Sequence, residues 1–272
     1  MVEFYKMSGS GNDFILIDNR DGSLVLSDPV RFVRILCERK GSVGADGVIL
    51  IENSPRADFR WRFFNADGSE AEMCGNGGRC AARFAFLMGI APERMTFETL
   101  AGIIDAEVKG PWVKLRLTDP KGLSYVDRLS TSVGDFSLYT IDTGVPHAVC
   151  FVEELDSFDV LTAGRAIRFH DYFQPAGTNA DFVKILDTHS LKIRTYERGV
   201  EDETLACGTG SVAAALVAAH KKLVLPPVEV LVRSGEKLKI YFEEKEGFFR
   251  NVYLEGSTKV VYQGKLWEEA VR

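Results

Sequence analysis

Two short stretches hold the residues best suited to chemistry: Met73-Cys74-Gly75-Asn76-Gly77-Gly78-Arg79-Cys80 and Ala206-Cys207-Gly208-Thr209-Gly210-Ser211. In each, a cysteine stands at a glycine-rich turn and a run of small apolar residues follows, which places the thiol where a helix begins. A helix entrance leaves backbone N–H groups without partners and carries about half a positive charge. It can therefore hold a carboxylate, and it is expected to lower the pKa of an adjoining thiol from about 8.5. The glycines let the backbone come close to a ligand. One such thiol reads as a nucleophile, but a matched pair supports different chemistry. A thiolate can take a proton from one face of a carbon while a thiol gives one to the other face, which inverts a stereocentre. Donors aimed at a neighbouring carboxylate stabilise the charge that develops there. No metal and no cofactor is expected for such a reaction.

The pair is part of a longer repeat. Gly11-Asn12-Asp13-Phe14 leads into an apolar run, as does Gly144-Val145-Pro146-His147. Ala45-Asp46 precedes Val48-Ile49-Leu50, and Ala180-Asp181 precedes Val183-Lys184-Ile185. With the cysteine turns, three landmarks keep one order at a nearly constant offset, which predicts a duplicated lobe. A site between the lobes is the expectation, since clefts between domains favour small molecules.

The elements that must position the thiols follow from local pattern. Strands are expected near the N-terminus and over Phe14–Asp18, Val48–Glu52 and Arg60–Asn65. A helix starts at Ser27-Asp28-Pro29, with an N-cap and a proline in its first turn, and ends near Lys40-Gly41. The helix after Cys74 runs to about Gly89 and is apolar on nearly every face, so it is expected to be buried all round. Strands follow at Met95–Thr99, Ile103–Val108 and Trp112–Leu117, and Thr118 to Thr131 reads as a crossover. The order then repeats: strands near Phe136–Asp142 and Ala148–Val152, a helix over Val160–Phe169, and strands at Phe182–Leu186 and Leu191–Glu197. The second cysteine turn leads into a helix over Ser211–Lys222, and four short strands finish the chain. The fold class is α+β, with two pseudo-symmetric lobes, each a curved, mostly antiparallel β-sheet or barrel around a central helix. The expected domains are 1–117, completed by 263–272, and 118–262.

Composition narrows the function. A chain of 272 residues, 46% hydrophobic and 26% charged, has material for two globular domains. A net charge of −6 without a basic run argues against nucleic acid. Apolar runs fall far short of the roughly 20 residues of a membrane span, and no signal peptide is expected. Five cysteines, an odd and sparse set with no C-x-x-C pair, point to a reducing cytoplasm and away from a structural metal. Cys37, Cys80 and Cys150 read as small buried hydrophobes. His170, His189 and His220 read as surface or satisfied polar residues.

From Lys6-Met7-x-Gly9-x-Gly11-Asn12-Asp13-Phe14 to the C-terminus the chain resembles the diaminopimelate epimerase family, the cofactor-independent enzymes that interconvert LL- and meso-diaminopimelate in lysine and peptidoglycan biosynthesis. The other stretches that carry the resemblance are Phe64-Asn65-Ala66-Asp67-Gly68-Ser69-Glu70, the two cysteine turns and Tyr196-Glu197-Arg198-Gly199. The resemblance implies Cys74 and Cys207 as the acid/base pair, and Gly75, Asn76, Gly208 and Thr209 as backbone donors to the reacting carboxylate. It implies Asn12, Asn65 and Asn179 as substrate-fixing residues and Glu197-Arg198 as the grip on the distal amino and carboxylate groups. His147 and Glu197 would tune the thiols, and the protein would be a homodimer acting on a small amino acid. The family often has asparagine where Val145 stands and glutamine where Gly47 stands. Two other readings stay open: a proline racemase-like isomerase of the same fold, and a non-catalytic thiol-redox protein. The Glu197-Arg198 pair favours a substrate with a distal zwitterion, which proline lacks.

Overall fold

The computed structural model describes residues 2–245 and 247–271. Met1 and Arg272, the outer ends of the expected first domain, lie outside that range, as does Glu246. The chain divides into two compact units, one formed by residues up to Leu115 together with those from Gly256 on, the other by Arg116–Glu255.

The first unit contains β1 (Val2–Gly9), β2 (Asn12–Asp18), α1 (Pro29–Cys37), β3 (Gly47–Glu52), β4 (Phe59–Asn65), α2 (Gly75–Leu87), β5 (Arg94–Thr99), β6 (Gly102–Lys109) and β7 (Trp112–Arg116). The second contains β8 (Lys121–Thr131), β9 (Gly134–Asp142), β10 (Pro146–Phe151), α3 (Val160–Arg168), β11 (Asn179–Asp187) and β12 (Ser190–Glu197). It continues with β13 (Asp202–Glu203), α4 (Gly208–His220), β14 (Val228–Leu231), β15 (Lys237–Lys245) and β16 (Phe248–Ser257). The last strand, β17 (Lys259–Leu266), returns to the first unit and pairs with β1.

Strand pairing repeats between the units. In the first, β1 pairs antiparallel with β17 and β2; β2–β3 is parallel, β3–β4 antiparallel, β4–β5 parallel, and β5–β6 and β6–β7 antiparallel. In the second, β9 pairs antiparallel with β8 and β10; β10–β11 is parallel, β11–β12 antiparallel, β12–β14 parallel, and β14–β15 and β15–β16 antiparallel. Side-chain alternation along these strands serves two helices at once. On β2 and β3, Phe14, Leu16, Ile49 and Ile51 face the core around α2, while Ile15, Ile17, Val48 and Leu50 join Val33, Leu36 and Cys37 of α1. Strands buried on both faces read as continuous apolar runs, which both segments are. On β10 and β11, Val149 and Val183 join the core around α4, and Ala148, Cys150, Ala180 and Phe182 join that of α3. The helix α4 touches β9, β10, β11, β12, β14 and β15, so the sheet wraps the helix that Cys207 begins.

Several expectations are corrected. Lys121–Thr131 is a strand, not a crossover; only Leu129 of it is buried, so it lacks the apolar alternation that announces a strand. The expected boundary at 262/263 would cut β17 in two, whereas the strand belongs whole to the first unit because all of its β1 pairing is there. The boundary expected after residue 117 falls after Leu115. The helix α1 stops at Cys37, short of Lys40-Gly41, and α2 is buried only as far as Ala85; Phe86, Leu87 and Met88 are exposed.

One packing contact fixes the approach of α3 to the strand that carries Glu197. A Cβ on Gly164 of α3 would lie 2.3 Å from the Cβ of Tyr196 on β12. Gly164→Ala should therefore cost about 1–3 kcal/mol by overpacking, read as a lower midpoint in chemical denaturation. An unchanged midpoint would show that the helix can retreat freely.

Candidate active site

In the first unit Cys74 is the N-cap of α2, with extended backbone (φ −145°, ψ 116°), and its Sγ accepts the Gly77 N–H at 3.5 Å. Cys207 occupies the same place before α4 (φ −115°, ψ 112°), and its Sγ accepts the Gly210 N–H at 3.4 Å. Each sulfur thus takes the place of the oxygen of a serine or aspartate cap. The N–H groups of Gly75 and Asn76, and of Gly208 and Thr209, are at first-turn positions with no intrahelical acceptor. A side chain at Gly75 would meet nothing within 4 Å, so this position is open. Other glycines in the turns serve packing. A Cβ on Gly78 would lie 3.0 Å from Leu115, and one on Gly210 would lie 2.5 Å from the Asp181 carboxylate.

A chain of hydrogen bonds sets Asn12 and Asn76. Asn76 donates through Nδ2 to Asn12 Oδ1 (2.8 Å), and Asn12 donates to Asp46 Oδ2 (2.9 Å). Arg79 is fully buried and donates to Asn76 Oδ1 (2.8 Å) and to Ser10. At the other end Arg39 bridges Asp46 and Asp13, and the buried Lys6 pairs with Asp13 at 2.8 Å. Both oxygens of Asn12 and Asn76 are thereby committed to neighbours. Asp46 and Arg79 were not among the expected site residues; the Ala-Asp landmark of the repeat was the available signal for Asp46. Asn65 lies apart from this chain, exposed at the end of β4, where it donates to Ser69 Oγ at 3.1 Å. Gly47, paired with Asn65 across the sheet, leaves no room for a side chain: a Cβ there would lie 2.5 Å from the Phe64 carbonyl oxygen.

In the second unit the site residues gather on the ends of β10, β11 and β12. Asn179 is buried, donates to the Pro146 carbonyl (3.1 Å) and accepts the Arg198 N–H (2.8 Å). The Arg198 guanidinium donates to the Ala176 carbonyl at 3.0 Å. His147 is buried, with Nδ1 2.7 Å from Asp181 Oδ2, and Thr195 donates to Asp181 Oδ1 at 2.7 Å. Thr209 lies with its hydroxyl 3.5 Å from Cys207 Sγ. Among the described residues no three metal-ligating side chains converge, and no helix is long and apolar enough to cross a membrane.

The expectation of a lowered thiol pKa fails at Cys207. Burial, together with the negative charges of Glu197 and Asp181, pushes this thiol well above its ordinary value, and the bonds from Thr209 and Gly210 only oppose that. Burial also raises the Glu197 carboxyl. Cys37 is pushed up to about 11 by burial, and Cys150 is raised further by burial and the Asp181 charge; both are buried small hydrophobes, as is Cys80 in the core around α2. His189 and His220 are exposed.

The two-unit α+β fold of this chain is also seen in solved structures. A phenazine biosynthesis protein of the PhzF family from Bacillus anthracis matches with a TM-score of 0.75 at 14% identity, over 98% of this chain and 99% of that one. A hydroxyproline epimerase from Agrobacterium vitis matches at 0.68 and 15%, over 97% of this chain and 91% of its own. At those identities the likeness is one of fold. Sequence goes further. The model of the family described as Diaminopimelate epimerase matches residues 4–120 and 139–261, leaving out β8 and the start of β9. The diaminopimelate epimerase of Aquifex aeolicus is 50% identical over 99% of both chains. The chain belongs to the diaminopimelate epimerase family.

Two outcomes follow from the electrostatics. Cys207 should alkylate slowly near neutral pH, and Glu197→Gln should speed its reaction by removing a repelling charge; equal rates, followed by mass spectrometry of the Cys207 peptide, would remove Glu197 from the cause. For Asp13, burial is outweighed by hydrogen bonds from Arg39 and Lys6, which hold its carboxyl at about 2 against 3.8. The folded value lies below the unfolded one, so the stabilisation is complete above 3.8 and is lost as pH falls through about 2. Asp13→Asn should therefore lose less thermal stability than the parent over that range; equal losses would place the acid sensitivity elsewhere.

Proposed function

We propose that this protein is a diaminopimelate epimerase that interconverts LL- and meso-diaminopimelate by proton transfer between its own thiols and the substrate α-carbon. The observation that carries the mechanism is the double occurrence of one device, a cysteine sulfur capping the central helix at equivalent places in two repeats. Cys74 and Cys207 act as the acid/base pair, and which of them is the base depends on the direction of reaction. The first-turn N–H groups of Gly75, Asn76, Gly208 and Thr209 hold the reacting carboxylate and stabilise its developing charge. The rise in the Cys207 pKa from burial and from the charges of Glu197 and Asp181 suits it to deliver a proton in the direction in which Cys74 is the base. His147 and Glu197 tune the pair.

Asn12, Asn65 and Asn179 fix the substrate, with Asn179 also setting the backbone of Arg198. Arg198 grips the distal carboxylate in two-pronged fashion, and Glu197 takes the distal ammonium. That pair favours diaminopimelate over proline, so the racemase-like alternative is the weaker one. Neither a metal nor an organic cofactor takes part. Among the described residues no disulfide joins the five cysteines, which supports a cytoplasmic setting; a homodimer is the assembly proposed on family grounds.

Turnover in heavy water should place deuterium on the α-carbon of diaminopimelate, read by mass spectrometry. Cys74→Ala and Cys207→Ala should each abolish epimerization, a loss of at least about 10²-fold for an acid/base group. Absence of exchange in freshly reduced protein would sink the assignment of substrate, and normal turnover by either variant would sink the two-thiol mechanism.

A further inference from the structure

Asp181 has no role in the mechanism as stated, yet its side chain and that of His147 are both wholly inaccessible to solvent. A buried carboxylate is costly unless its oxygens are satisfied. Here both are: Thr195 donates its hydroxyl proton to Oδ1, and His147 Nδ1 lies 2.7 Å from Oδ2. An ionised carboxylate only accepts, so the bond to His147 requires the proton on Nδ1. The other ring nitrogen, Nε2, is buried without a hydrogen-bond partner among the described residues. A bare lone pair there costs less than an unpaired N–H would, since the latter would also bring a buried imidazolium.

The same carboxylate is built into the Cys207 turn. Oδ1 occupies the space that a Cβ on Gly210 would need, at 2.5 Å, and the N–H of Gly210 is the one that holds the sulfur. Asp181 therefore touches the thiol's own cap on one side and the histidine on the other. Gly210 is the residue that makes this approach possible.

We infer that Asp181 is a positioning residue: it fixes His147 as the Nδ1–H tautomer and presents Nε2 as a preset proton acceptor in the buried part of the second unit's site. This inference rests on the reading of His147 as a group that tunes the thiols. It adds the residue that gives the histidine one proton state and one orientation, as a second carboxylate does wherever an imidazole must act as a directed base.

The chain has four histidines, so nitrogen-15 NMR of histidine-labelled protein, with His147→Gln to assign the signal, reads the tautomer directly. In the parent, His147 should show a protonated Nδ1 and a bare Nε2. Asp181→Asn keeps the shape and places an amide donor opposite Nδ1 while Thr195 keeps its bond, so the proton should move to Nε2. Turnover number on LL-diaminopimelate should fall about 10²-fold with KM changed by less than about threefold. His147→Gln with Asp181→Asn should be no slower than His147→Gln alone, because Asp181 acts through His147.

A protonated Nε2 in the parent would overturn the inference, and needs no variant to fold. So would an Asp181→Asn loss that multiplies fully with that of His147→Gln, the mark of a merely structural role. If the parent does not epimerize diaminopimelate at all, the proposed function fails while the tautomer result still decides the role of Asp181.

Discussion

The structure depends on one bond made twice: a cysteine sulfur accepting the N–H of the third residue of the helix that it precedes. Sulfur is a weak acceptor, and a serine or aspartate would cap either helix better. A thiol in that position is therefore not explained by helix stability. It places a thiol beside two backbone N–H groups that have no acceptor within the helix. The rest of each unit holds that helix end in place, with a sheet wrapped around α2 or α4 and a second helix on the outside of β2–β3 or β10–β11.

The two entrances are alike in backbone and unlike in surroundings. Around α2 the polar neighbours form a line of amides and ion pairs through Asn76, Asn12 and Asp46 to Arg39. Around α4 they form a buried acid–imidazole pair with Glu197 close enough to act on the thiol. A duplicated scaffold has thus been given two electrostatic settings.

What could be read from the sequence was local. The N-cap cysteines, their glycines and the alanine-rich helices are contiguous, and the repeat shows in residues whose types recur in order. The settings of the thiols were not legible. The rise at Cys207 comes from burial and from carboxylates on β11 and β12, residues that only the fold brings near. The support of Asn12 by Asp46 crosses from the β1–β2 turn to the start of β3 and has no local signature. The strand β8 escaped notice for the opposite reason, since with Leu129 alone buried it shows no alternation. Among the turn glycines, those at 78 and 210 allow close packing, whereas a side chain at Gly75 would meet nothing within 4 Å.

The strand β17 ties one end of the chain to the other. Its partner β1 lies at the N-terminal end, with the entire second unit between them in sequence. The second unit is therefore continuous in sequence, whereas the first leaves one edge of β1 bare until β17 arrives. Closing so long a loop is slow, and an unpaired edge is a surface for self-association. Nascent chains carry that open edge for the whole time the second unit is being made.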